Sequence, residues 1–238
     1  MNQAIPRIID VKPFTPQIKL IGQSRTPVII IDDFVEDLTP LLQDAYRAPF
    51  EQEHQSYYPG VRAPLPKAYS IEVINYVFQL IYDVYRIPKH LRIKPQNLVY
   101  SLISQSPESL MPLQRLPHFD TPSPYHFAIL HYLNDTPHGA TAFFRHKQTG
   151  YERINQENMQ CYFDSAKAFL DRHQSATPKY YVSSDEHYQQ YSQIDYKANR
   201  LAIYPGNLLH STLVDDALDI DANPKTGRLT ANLFLQFS

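Results

Sequence analysis

The chain has 238 residues, a net charge of −2 and an isoelectric point near 6.5, so it lacks the basic character typical of proteins that bind nucleic acid or anionic membranes. Its single cysteine, Cys161, excludes an intrachain disulfide, and no run approaches the roughly 20 apolar residues of a membrane-spanning helix. The N-terminus also lacks the charged-then-apolar pattern of a signal peptide. We therefore expect a cytoplasmic protein without nucleic-acid or membrane partners.

The sequence of the N-terminal part, residues 1–96, predicts a strand and helices that support a core formed by later residues. Residues 1–27 predict an irregular lead-in, and 27–35 a short apolar strand. Residues 36–48 predict a helix with acidic residues in its first turn, and the proline-containing stretch 49–69 predicts a loop. Residues 70–87 predict a stronger helix, because apolar residues recur at helical spacing: Ile71, Ile74, Val77, Phe78, Ile81, Val84 and Tyr85.

From residue 97 onward, short β-branched and aromatic runs predict antiparallel strands: "NLVYSLIS", "HFAILHYLN", "TAFFRH", "RLAIYPGNLLHSTLV" and "RLTANLFLQF". Between them, residues 150–197 predict a helical insertion, with apolar residues at helical spacing over 159–170 and a second short helix over 184–195. Cys161 lies in the first of these helices, where we expect a packing role. The sequence therefore predicts one α+β domain over 1–238, in which residues 1–96 support a sheet core over 97–238.

The segment "LPHFDTP" contains a candidate pair of metal ligands. In an extended segment alternate side chains share a face, so His118 and Asp120 point the same way. Such a pair is either two ligands of one metal ion or an ordinary surface pair. The pair alone leaves both interpretations open, and a third ligand is needed to choose between them.

His210 supplies a candidate third ligand, because it follows a Pro-Gly turn at the end of the strand-like run "YPGNLLHSTL". Two histidines and one carboxylate with open positions are the ligand set of non-haem Fe(II) oxygenases. The terminal strand then places Arg228, Thr230 and Asn232 on one face and an apolar set on the other. From alternation alone, the Arg228 face is either solvent-exposed or the interior of a ligand-holding barrel.

The series "PHFD … HYLN … GATAFFRHKQTGYE … NRLAIYPGNLLHS … GRLTANLF" resembles the iron(II) and 2-oxoglutarate-dependent dioxygenase superfamily, with its prolyl-hydroxylase-like branch as the nearest likeness. It also resembles a family of uncharacterised bacterial proteins assigned to that superfamily. The likeness covers roughly residues 97–237. It implies a double-stranded β-helix, a cupin-like jelly roll, with N-terminal supporting helices and the helical insertion.

By the same resemblance, His118, Asp120 and His210 would hold Fe(II), and Arg228 would bind the distal carboxylate of the cosubstrate 2-oxoglutarate. An arginine suits this role because its planar guanidinium binds a carboxylate with two parallel hydrogen bonds. Tyr132 would donate to the same carboxylate, and Thr230 and Asn232 would line the cosubstrate pocket.

Other histidines compete with this set. His126 and His131 are five residues apart on one predicted strand, so they face opposite sides and do not chelate one ion together. His138 and His146 flank the "GATAFF" strand, where we expect loop or rim positions.

Three functions remain open from the sequence. The first is an Fe(II) and 2-oxoglutarate-dependent oxygenase that hydroxylates a C–H bond of a small-molecule or amino-acid-like substrate. The second is a catalytically inactive jelly-roll binding or scaffold protein that retains the metal triad. The third is a cupin-like metalloenzyme that does not use 2-oxoglutarate. Arg228 separates the first from the third, because a site without 2-oxoglutarate has no need of a buried guanidinium at that position.

Overall fold

The computed structural model describes residues 8–53, 57–172 and 177–238, so the first seven residues, His54 and His173 lie outside the described part of the chain. Its strands and helices follow in this order: β1 (Gln17–Ile21), β2 (Thr26–Ile31), α1 (Thr39–Ala45), β3 (Glu51–Gln52), β4 (Gly60–Pro64), α2 (Lys67–Tyr85), β5 (Ile93–Ile103), β6 (His126–Tyr132), β7 (Thr141–His146), α3 (Met159–Arg172), β8 (Tyr188–Ile194), β9 (Leu201–Pro205), β10 (His210–Thr212) and β11 (Thr230–Phe237). Within these residues no helix has the length and apolar character needed to cross a membrane.

The strands form two antiparallel sheets. The large sheet has the order β1-β2-β9-β6-β11-β5-β4-β3, and the small sheet has the order β10-β7-β8. Strands from the N-terminal part, β2 and β4, pair with β9 and β5 from the C-terminal part, so both parts of the chain build the large sheet. A mixed α and β fold of this kind, mostly antiparallel, is consistent with a jelly roll.

Three apolar clusters show how the layers stack. The outer face of the large sheet forms one apolar cluster with α1 and α2, which includes Val73, Val77 and Ile81 of α2 and Leu233 and Leu235 of β11. A second cluster joins the inner faces of the two sheets. A third joins the outer face of the small sheet to α3. The two sheets therefore face each other, and helices cover the outer face of each sheet.

The terminal strand resolves the two alternatives that the sequence left open. The apolar alternate residues of β11 lie in the cluster under α2, whereas Arg228, Thr230 and Asn232 are buried with exposures of 3%, 2% and 6%. The Arg228 face therefore points between the sheets and not into solvent.

The N-terminal predictions are correct only in part. The strand over 27–35 corresponds to β2 and the helix over 70–87 to α2, which begins three residues earlier at Lys67. The lead-in over 1–27 and the loop over 49–69 are wrong, because both contain strands of the large sheet. The helix over 36–48 is shorter, and no acidic residue lies in its first turn. Asp37 precedes that helix and accepts a hydrogen bond from the Thr39 N–H at 2.8 Å.

Of the two helices predicted in the insertion over residues 150–197, one is present and the other is a strand. The apolar spacing over 159–170 corresponds to α3, but the helix expected over 184–195 is wrong, because these residues contain strand β8, which pairs with β7. The packing role expected for Cys161 is also wrong, since its side chain is exposed. The buried face of α3 is carried instead by Tyr162 and Phe169.

Candidate metal and cosubstrate site

Three side chains from two distant segments meet beside β10. His118 and His210 form an antiparallel bridge in which each backbone N–H donates to the other residue's carbonyl, at 2.9 and 2.8 Å. The Asp120 N–H donates to the Gly206 carbonyl at 2.7 Å. These backbone hydrogen bonds dock the His-x-Asp segment onto the turn that leads into β10.

The three side chains converge on one small volume. The Nε2 atoms of His118 and His210 lie 4.0 and 3.8 Å from Oδ1 of Asp120, and one donor atom from each residue lies within 4.8 Å of the others. Small side-chain rotations therefore suffice to bring all three donors to one cation. Among the described residues this is the one cluster of histidine, cysteine and acidic side chains with such a spacing.

Hydrogen bonding orients the His210 ring for a metal. Its Nδ1 lies 2.9 Å from the Leu208 carbonyl oxygen, which accepts hydrogen bonds only, so Nδ1 carries the proton and Nε2 presents its lone pair to Asp120 and His118. A metal-bound histidine commonly donates its other ring nitrogen to a backbone carbonyl in this way. The His210 side chain is 7% exposed and that of His118 is 57% exposed, so the cluster has one open side. The donor set fits a divalent metal ion with free coordination positions.

Arg228 lies between the sheets, where its guanidinium contacts a backbone carbonyl, a hydroxyl and two aromatic rings. Its Nε donates to the Gly139 carbonyl at 2.9 Å, and one terminal nitrogen lies 3.4 Å from Oγ1 of Thr141. The rings of Tyr132 and Tyr196 flank the guanidinium at 5.6 and 5.5 Å. No carboxylate of the described residues lies within 4.0 Å of it. The buried Asp219 carboxylate interacts with this charge from beyond contact distance, as its lowered pKa indicates, and a ligand carboxylate in direct contact would pair with the guanidinium itself.

The other residues expected at the cosubstrate pocket also lie between the sheets. The Tyr132 hydroxyl shares a 2.8 Å hydrogen bond with Oγ1 of Thr141, and Thr230 pairs with Tyr132 in register. Burial raises the pKa of Tyr132, against the opposing charge of Arg228, so the phenol stays protonated and able to donate. Asn232 donates from Nδ2 to Ser101 Oγ at 2.6 Å, and its buried Oδ1 has no hydrogen-bond partner in the described part of the chain.

Strand β4 adds side chains that sequence reasoning missed. Arg62 pairs in register with Ser101, and Ser101 pairs with Thr230, so the three form a row across the inner face. The Arg62 guanidinium lies 4.2 Å from the ring centroid of Tyr58 and donates to Glu53 at 2.8 Å. These residues fall in the stretch assigned to a loop, so no periodicity indicated that Arg62 faces inward. Thr141 and Tyr196, which contact Arg228 and Tyr132, were also not singled out.

The four histidines that the sequence offered as competing ligands lie in different environments. As predicted, His126 and His131 face opposite sides of β6: His126 stacks on Phe234, a residue of the cluster between the sheets, and His131 bonds to Tyr69 of α2. His138 lies in the loop between β6 and β7, as expected, but it is not a rim residue, and His146 lies neither in a loop nor at the rim. The His138 side chain is 1% exposed and bonds to Asp219, and His146 is fully buried at the end of β7.

The comparison with protein families decides the family. The sequence profile described as "Family of unknown function (DUF6445)" matches residues 12–235. The chain belongs to the DUF6445 family. No curated protein matches it.

Solved structures show that this DUF6445 chain shares its fold with known proteins. The structure of HygX from Streptomyces hygroscopicus with nickel and 2-oxoglutarate bound is 12% identical, has a TM-score of 0.50, and aligns over 89% of this chain and 83% of HygX. AviO1 from Streptomyces viridochromogenes Tue57 is 8% identical with a TM-score of 0.42, over 97% of this chain and 90% of AviO1. An N-substituted L-amino acid dioxygenase from Burkholderia ambifaria AMMD is 11% identical with a TM-score of 0.39, over 94% of each chain. At these identities the HygX match shows the fold alone, and the other two carry no argument about this chain.

Proposed function

We propose that this DUF6445 chain is an Fe(II) and 2-oxoglutarate-dependent oxygenase of the prolyl-hydroxylase-like branch. In this proposal His118, Asp120 and His210 hold the metal, and Arg228 anchors the distal carboxylate of 2-oxoglutarate. The single observation that carries the proposal is a buried guanidinium between the sheets that contacts no carboxylate of residues 8–53, 57–172 and 177–238, in a fold that also brings His118, Asp120 and His210 together.

Each residue has a distinct part in the proposed reaction. Bound Fe(II) would supply the O2 chemistry that converts 2-oxoglutarate to succinate and CO2 and oxidises a C–H bond of the substrate. Arg228 would receive the distal carboxylate, with Tyr132 and Thr141 donating beside it. The aromatic side chains around this position, including Phe143 and Tyr204, would exclude water from the reacting end.

Polar side chains on the inner face of the large sheet, from β4 to β11, indicate a substrate class. The inner face from β4 to β11 carries polar side chains, and the buried amide oxygen of Asn232 has no hydrogen-bond partner in the described part of the chain. These groups suit a small polar molecule, such as an amino-acid-like compound, more than an apolar one. We therefore propose that a small-molecule or amino-acid-like substrate enters from the β4 side.

The test is anaerobic addition of Fe(II) and then 2-oxoglutarate, with visible absorption spectroscopy. We expect a weak charge-transfer band that saturates with 2-oxoglutarate in the wild-type protein. The Asp120→Ala variant should lose the band, because the carboxylate ligand is removed. A matched control is Arg172→Ala, which removes an exposed guanidinium at the end of α3 and should leave the band unchanged.

The other outcomes identify the rival functions. Metal binding without any response to 2-oxoglutarate would favour the cupin-like metalloenzyme. Metal binding without succinate release, with or without candidate substrates, would favour the inactive binding or scaffold protein that retains the triad. Succinate release in the presence of candidate substrates would then extend a positive result to turnover.

A further inference from the structure

His126 is a buried histidine on the inner face of the large sheet, outside the triad. It is 9% exposed, and its ring stacks on Phe234 with centroids 6.1 Å apart and planes 24° apart. Its Nδ1 is fully enclosed and has no hydrogen-bond partner in the described part of the chain. Buried ring nitrogens are normally hydrogen-bonded, so this atom needs an explanation.

The environment of Gly206 shows where this nitrogen points. A Cβ atom built on Gly206 would lie 2.4 Å from Nδ1 of His126 and 3.0 Å from Oδ2 of Asp120. Both atoms therefore border the same small volume. The backbone supports the arrangement, because Gly206 donates to the His126 carbonyl at 2.8 Å and accepts from the Asp120 N–H at 2.7 Å. The absence of a side chain at residue 206 is what allows His126 and Asp120 to approach each other.

We propose that His126 is a positioning residue of the metal site: Nδ1–H donates a hydrogen bond to Oδ2 of Asp120 when Oδ1 binds the cation. This inference rests on the metal site of the proposed function. Among the described residues, no His126 nitrogen lies within 4.0 Å of the Asp120 carboxylate, so the bond requires the carboxylate to turn about Cβ–Cγ. That torsion is soft in aspartate.

The proposed hydrogen bond would satisfy the second carboxylate oxygen of Asp120. Asp120 uses one oxygen toward the two histidines, and the other faces His126. A ligating carboxylate is normally held by a hydrogen bond to its free oxygen, which fixes the ligand in the geometry that the metal requires. Burial lowers the pKa of His126, against the opposing charge of Asp120, which agrees with a neutral imidazole close to that carboxylate.

Packing on Phe234 and contact with the substrate are the competing explanations for His126. If the ring only fills space, any side chain of similar shape replaces it. If it contacts the substrate, its removal leaves metal affinity unchanged. The test therefore measures metal affinity without substrate or 2-oxoglutarate.

The experiment is titration of the metal-free protein with Co(II), followed by d–d absorption, for the wild type and three variants. His126→Phe keeps an aromatic ring against Phe234 and deletes the donor, so we expect the Kd for Co(II) to rise roughly 10–100-fold. His126→Asn places an amide N–H near the position of Nδ1 and should restore affinity to within a few-fold of wild type. His131→Phe is the matched control, because it lies on the same strand with its side chain on the opposite face, and it should leave the Kd unchanged.

Two results would overturn the inference: a His126→Phe protein that binds Co(II) as tightly as wild type, or a His126→Asn protein as weak as His126→Phe. Thermal unfolding and circular dichroism establish that each variant is folded. If His126→Phe does not fold, His126→Gln replaces it. Its amide extends toward the Nε2 position, so it should bind as weakly, and wild-type affinity would contradict the inference. A wild-type protein without Co(II) affinity would remove the proposed function as well, whereas equal binding by wild type and His126→Phe would remove this inference alone.

Discussion

Nδ1 of His138 donates a 2.8 Å hydrogen bond to Oδ1 of Asp219, and the two side chains are 1% and 0% exposed. The same carboxylate accepts from the N–H groups of Gly139 and Asp215. Because the Gly139 carbonyl in turn accepts from Arg228, Asp219 holds the loop that supports the proposed cosubstrate anchor. This carboxylate lies in the long loop between β10 and β11, and no signal in the sequence singled it out.

Asp219→Asn should destabilise the protein, because the amide offers only one acceptor oxygen to three buried donors. We expect the free energy of unfolding at pH 7 to fall by about 2–4 kcal/mol. Urea unfolding followed by circular dichroism measures it. Asp171→Asn is the control, since that carboxylate forms an exposed ion pair with Lys167, and it should change the free energy of unfolding far less than Asp219→Asn does.

The Asp219 contribution should also depend on pH. Burial raises its pKa, but the hydrogen bonds from His138 and the backbone and the charge of Arg228 outweigh this effect, so the pKa lies below its ordinary value of 3.8. A carboxyl group whose pKa is lower in the folded than in the unfolded chain stabilises the fold at pH values above its unfolded-state pKa. This stabilisation is lost as the pH falls through the folded-state pKa. The stability difference between wild type and Asp219→Asn should therefore shrink below about pH 4. A constant difference would contradict this assignment.

His131 should produce a second pH dependence, at higher pH. Burial lowers its pKa from 6.5 to about 4, and its two ring nitrogens bond to Tyr69 and Asn199 at 3.0 and 3.2 Å. The unfolded chain binds more protons between these values, so stability falls as the pH drops from 6.5 toward 4, by roughly 3 kcal/mol for this residue. His131→Phe should be less stable at pH 7, because the buried Tyr69 hydroxyl loses its hydrogen bond to the ring, whereas Asn199 Oδ1 still accepts from the Val35 N–H. The variant should also show a shallower decline in stability on acidification. Parallel declines in both proteins would exclude His131 as the source.

Arg228→Ala should weaken 2-oxoglutarate binding without loss of the metal. Loss of a buried bidentate pair costs about 3–5 kcal/mol, which corresponds to roughly two to four orders of magnitude in Kd. Arg228→Lys should rescue affinity only in part, because lysine keeps the charge but not the planar donor pair. Titration of each metal-loaded variant with 2-oxoglutarate measures the Kd. 2-Oxopentanoate is the control ligand, since it lacks the distal carboxylate and should bind all three proteins alike. An equal loss for both keto acids would show that Arg228 acts on the fold and not on that carboxylate.

Gly206→Ala should weaken metal binding. The added Cβ would lie 2.4 Å from Nδ1 of His126 and 3.0 Å from Oδ2 of Asp120, so at least one of the two side chains must move. Since His126 is packed on Phe234, we expect Asp120 to be displaced and the Kd for Co(II) to rise about tenfold or more. Wild-type affinity in this variant would mean that the cluster has more room than the structure shows.

Sequence reasoning was most successful where one local pattern has one structural meaning. Helical spacing over 159–170 indicated α3, because i, i+3 and i+4 positions share a face whatever the surroundings. The same reasoning failed for "EHYQQYSQI", whose polar residues suit a solvated helix. Pairing with β7 makes it a strand instead, since tertiary contacts override weak local preference. The short strands β3 and β4 were missed for the same reason.

The sequence by itself determined which residue types are available for chemistry: a histidine and an aspartate at period two, a later histidine, and an arginine on an alternating terminal strand. Only the tertiary structure decided that His118, Asp120 and His210 meet, because backbone hydrogen bonds across some 90 residues dock the two segments together. It also decided that the Arg228 face points between the sheets. Period-two alternation separates the two faces of a strand but carries no information about which face is covered, and that depends on α2 packing against the apolar side of β11.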